Sequence, residues 1–160
     1  MRLFLSLVSA ITLVAANLAP AALAADSHAH GHGAAPTKLQ LDHGKKWATD
    51  AALRRGMESI RGAVHGAPAP LHKGTAKPGD YADLGKRVEA EVGRIVQECK
   101  LPPEADAQLH IVVAELIAGA DAMKGAKDAK AGRAGLVKVD GALKSYAKYF
   151  DHPNWTAPPK

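Results

Sequence analysis

Three histidines alternate with small residues near the start of this chain: His28, His30 and His32 fall within Asp26-Ser27-His28-Ala29-His30-Gly31-His32-Gly33, and His43 follows. Imidazole nitrogen suits Cu(II), Ni(II) and Zn(II), and alternate histidines on a pliant backbone can wrap one ion. The four are therefore candidate metal ligands. A chain beginning at Asp26 would place histidine third from a free amine. The amine, two amide nitrogens and the imidazole then form a square plane that favours Cu(II) or Ni(II). The alternative is a solubilising low-complexity tail.

The chain has one cysteine, Cys99, which excludes an intramolecular disulfide framework and a four-thiolate cage. Cys99 and Met57 both fall on apolar stripes. They either fill a core or form a soft thiolate–thioether pair for Cu(I). His65, His72 and His110 lack i, i+4 metal spacing and read as surface residues. There is no nucleophile elbow, no phosphate-cradling glycine loop and no His-Glu-x-x-His, so a non-enzymatic protein is expected.

These residues need elements to hold them. The chain has 160 residues, room for one domain. It is 47% hydrophobic with only 4% aromatics, and much of the apolar share is alanine. That balance favours helix over sheet. The net charge of +5 comes from Lys and Arg scattered among acids, a solvated mixed surface that sets nucleic acid aside.

Met1-Arg2, the apolar run Leu3–Leu18 and Ala22-Leu23-Ala24 predict a cleaved secretory signal peptide over 1–24. A periplasmic protein with no membrane span after cleavage is expected. Residues 25–46 lack apolar periodicity and predict a flexible His-rich tail, with Leu39, Leu41 and Trp47 docking its end onto the domain.

Residues 47–155 carry four amphipathic helices, and 156–160 a short C-terminal tail. The first opens at Thr49-Asp50 with the stripe Leu53, Met57, Ile60 and Val64. His65 to Gly79 holds three Gly and three Pro and predicts a crossover loop rather than an element. Asp80 opens the second helix, with Tyr81, Leu84, Val88, Val92 or Glu91, Ile95 and Cys99, ending before Pro102. The third starts at Pro103-Glu104 with Leu109, Val112, Val113, Leu116, Ala120 and Met123, and Gly125 closes it. The fourth starts near Asp128 with Leu136, Val139, Leu143, Tyr146 and Phe150, and Pro153 ends it. Such stripes bury only against one another, which predicts an all-α, antiparallel four-helix bundle. Glycines within the helices imply either close helix approach or a modest stability. Tyr146, Tyr149, Phe150 and Trp155 either pack the end of the bundle against Trp47 or offer a docking surface to a protein partner.

Leu53-Arg54-Arg55-Gly56-Met57-Glu58-Ser59-Ile60 resembles the first helix of the small soluble b-type cytochromes of the bacterial periplasm, and His110 through Phe150 resembles helices 3 and 4 of that fold. Haem proteins of the cytochrome c-prime type share the bundle. The resemblance implies a four-helix bundle, and it implies Met57 as an axial haem ligand in an electron carrier. The family's second ligand, a histidine of the last helix, is replaced here by Ala147. Haem would have to recruit His152 or His110, and covalent haem lacks its C-x-x-C-H. The expectation is therefore a cofactor-free bundle whose leading role is binding Cu, Ni or Zn through His28, His30, His32 and His43. A haem-binding electron carrier and a ligand-free interaction or stress-related protein are the alternatives.

Overall fold

A computed structural model describes residues 38–155 of the chain. The chain divides into two units, Met1–His32 and Gly33–Lys160, and every described residue belongs to the second. Among the described residues the fold is all-α: α1 (Ala51–His65), α2 (Ala69–Lys73), α3 (Pro78–Glu98), α4 (Pro103–Lys124) and α5 (Ala129–Tyr149). The pairs that pack most extensively are α4 with α5, α3 with α4, and α1 with α3. No helix among the described residues is long and apolar enough to cross a membrane.

Local chemistry explains each start. Asp50 caps α1 by accepting from the Leu53 N–H at 2.7 Å, and Asp128 caps α5 by accepting from the Ala131 N–H at 2.7 Å. The helix expected at Asp80 begins two residues earlier, with Pro78 as its first residue. A proline has no N–H to leave unpaired there, and Asp80 turns back to accept from the Lys77 N–H at 2.9 Å.

The expected crossover loop is corrected: it contains α2. The residues that read as breakers are the ends of a short helix. Pro70 lies in its first turn, where proline is tolerated, and Gly74 closes it at φ 74°. Leu71 is buried, and the Tyr81 hydroxyl donates to the Leu71 carbonyl at 2.8 Å, pinning α2 to α3. The last helix ends at Tyr149, with Phe150 already extended, so Pro153 lies beyond the stop rather than causing it.

The stripes meet in one core drawn from all five helices. Leu53, Met57, Ile60, Val88, Val112, Leu116, Met123, Val139, Leu143 and Tyr146 are all fully enclosed. Each side chain of this size contributes about 1.5–3 kcal/mol on leaving water. Of the pair left open at 91 and 92, Val92 takes the core position and Glu91 is only partly covered.

The glycines split into two groups. A Cβ on Gly135 would stand 2.7 Å from the Met123 nitrogen and 2.9 Å from the Gly119 carbonyl oxygen, so α4 and α5 touch backbone to backbone. Gly141 and Gly93 face open space.

Candidate functional site

His28, His30 and His32 lie outside the described residues. His43 sits in a tight turn closed by reciprocal Asp42–Lys45 backbone bonds of 2.8 Å, and it takes φ 46°, a left-handed conformation. Its side chain is fully exposed, and its Nε2 is 3.9 Å from Asp42 Oδ1.

Residues 38–46, expected as the end of a loose tail, are held by specific bonds. The Gln40 N–H donates to Gln108 Oε1 at 2.8 Å, and Trp47 Nε1 donates to the Gln40 carbonyl at 2.7 Å. Gln108 is itself buried on α4, and Leu39 and Trp47 pack against the core. A buried amide oxygen needs a donor, and this segment supplies it.

Met57 occupies the core of α1 with no exposure. Cys99 is the residue after α3, half-buried, and its thiol is bonded to the Asp50 carboxylate. Burial first, then the charge of Asp50 and its hydrogen bond, push the thiol up to about 12. Asp50 also accepts the Lys100 N–H at 2.6 Å. Burial alone would raise its carboxyl, but the hydrogen bonds from Lys100, Leu53 and Cys99 outweigh it and hold the group below its usual value. One carboxylate thus caps α1 and ties it to the end of α3.

A polar network lies where the chain leaves α5. His152 is almost entirely enclosed; its Nε2 is 3.0 Å from Glu58 Oε1 and its Nδ1 is 2.9 Å from the Tyr146 hydroxyl. Nε2–H donates to the Glu58 carboxylate, and Nδ1 shares a hydrogen bond with the Tyr146 hydroxyl. Burial, first among its causes, raises the Tyr146 phenol well above its ordinary value. Tyr146 stacks on Phe150 and meets Trp155 edge-on, and the Arg61 guanidinium lies 4.7 Å over the Trp155 ring. Trp47 is fastened alongside: its N–H donates to the Tyr149 carbonyl and its carbonyl accepts from Asp151, both at 2.8 Å.

Both ring nitrogens of His152 are therefore engaged, and a role for it as a metal or haem ligand would require one of these bonds to break. His110 is exposed, with Nδ1 donating to the Asp106 carbonyl at 2.9 Å. Among the described residues no three His, Cys, Asp or Glu side chains are grouped so as to hold a metal ion. Sequence spacing did not reveal the Glu58–His152–Tyr146 network. Its members are 94 and 6 positions apart, and only the return of the chain onto α1 joins them.

No protein-family profile, no curated protein and no solved structure matches this chain.

Proposed function

We propose that this is an exported, periplasmic, non-enzymatic protein in which a cleaved leader precedes a His-rich tail joined to an antiparallel four-helix bundle. The tail binds a transition metal, Cu(II), Ni(II) or Zn(II), through His28, His30 and His32, with His43 as a further ligand. The observation that carries this reading is the alternation of three imidazoles with Ala29 and Gly31, spacers small enough to let successive rings turn onto one ion. The exposure of His43 supports its availability. Short connections over 99–102 and 125–128, between long helices, support the up-and-down bundle.

Deletion of residues 25–35 tests the reading. The expected result is loss of micromolar Cu(II) or Ni(II) binding by calorimetry with the helical circular dichroism unchanged. Unchanged stoichiometry and affinity in the shortened protein would overturn it.

A further inference from the structure

The ends of α1 and α2 and the middle of α5 enclose a cleft of about 450 Å³ that the metal-binding reading does not use. Its floor is apolar: Val64 and Leu136 are buried, and Val137 forms a lip that is 53% exposed. Its polar groups are His65, His72, Arg133 and Asp140. A cleft of this size, apolar with a few convergent polar groups, has the make-up of a small-molecule site.

The balance of charge within it favours an anion. Arg133 Nε donates to the His72 carbonyl at 2.8 Å, which fixes the guanidinium and leaves its Nη groups for another partner. Among the described residues no carboxylate lies within ion-pair distance of Arg133. Asp140, the one acid of the cleft, is already held by Lys144 Nζ at 2.9 Å. His65 Nε2 is buried with no hydrogen-bond partner, 4.0 Å from Asp140. Burial, first among the causes, lowers the His65 pKa, with Arg61 of α1, His72 of α2 and Lys144 of α5 acting the same way and Asp140 opposing them. An oxyanion would accept from Arg133 as a fork and from His65 at a nitrogen otherwise left unsatisfied.

We propose that this cleft binds a small amphipathic oxyanion, a phosphate or carboxylate head on an apolar body, with Arg133, His65 and His72 on the head and Val64, Leu136 and Val137 against the body.

The test is a titration of the full chain with phenyl phosphate and, separately, inorganic phosphate, followed by the imidazole nitrogen signals in NMR. His65→Gln and His72→Gln assign those signals. Saturable movement of the His65 and His72 signals is expected, with phenyl phosphate at least ~10-fold tighter than inorganic phosphate. Arg133→Gln should weaken binding by about 10-fold or more, the scale of one lost charge-assisted contact. Because Arg133 also touches α2, Val137→Glu provides a second variant at an exposed helix position; its added charge should repel the ligand while circular dichroism stays unchanged. Three results overturn the proposal: no saturable shift with either probe, equal affinities for the two probes, or undiminished binding in folded Arg133→Gln and Val137→Glu proteins.

Discussion

Glu58 on the first helix accepts a hydrogen bond at 3.0 Å from His152, 94 positions further along the chain. The contact pairs a half-exposed carboxylate with an enclosed imidazole, so its two ends differ in energetic weight. Replacing Glu58 with Gln should change stability by less than about 1 kcal/mol, because the amide oxygen can still accept from His152 Nε2–H and this end of the contact is half exposed to water. His152→Ala strands the buried Tyr146 hydroxyl and opens a void, and it should destabilise by about 2–4 kcal/mol. Tyr146→Phe should fall between, at about 1–2 kcal/mol. Urea denaturation that ranked Glu58→Gln as the most damaging of the three would refute this account.

Asp50 couples pH to stability at the acid end. Its folded carboxyl sits below the unfolded value of 3.8. Its contribution is therefore complete above that value and lost as pH falls through the folded one. Asp50→Asn should flatten the fall in stability below about pH 4, and by removing the cap it should lower stability at neutral pH by about 0.5–2 kcal/mol. Thermal melts from pH 2.5 to 7 distinguish the two effects.

Cys99 acts at the opposite end. A thiol whose folded value is raised from 9.0 to about 12 stabilises the fold below pH 9, and this contribution is lost as pH rises toward 12. At pH 8 its thiolate fraction is on the order of one part in ten thousand, so iodoacetamide should alkylate the folded protein at least ~100-fold more slowly than the urea-unfolded chain. Asp50→Asn removes the neighbouring charge and should speed the reaction only partly, since burial is the larger cause. Comparable rates in folded and unfolded protein would exclude the buried thiol.

Two glycines on one helix predict opposite outcomes. Gly135→Ala drives a methyl group into the Met123 and Gly119 backbones and should destabilise by about 1–3 kcal/mol. Gly141→Ala meets nothing within 4 Å and should stabilise by about 0.5–1 kcal/mol. Differential melting of the two variants decides the matter.

The helices were legible because their stripes are long and nearly unbroken: a three–four alternation from Leu136 to Phe150 allows no other buried face. The short α2 was hidden by its own ends, since Pro70 and Gly74 serve a five-residue helix and a loop equally well. The glycines were ambiguous for a related reason. Gly135 and Gly141 both read as weak points in a helix, and only the neighbouring chain tells an obligatory contact from an open surface. Met57 could be read from sequence as inward-facing, but thioether chemistry is the same in a packed core and beside a metal. The polar sites were least visible. His65, His72 and Arg133 share one cleft because two helix ends meet a third helix, a relation with no spacing of its own.

The parallel bridge between Trp47 and Phe150 sets how the domain bears mechanical load. The incoming and outgoing segments run side by side in the same direction, fastened by the Trp47–Tyr149 and Asp151–Trp47 backbone bonds and by Thr49 Oγ1 donating to the Asp151 carbonyl at 2.6 Å. Tension applied across the two ends of the domain shears these fastenings together rather than peeling them one at a time. The clasp must yield as a unit before the pull reaches the helices.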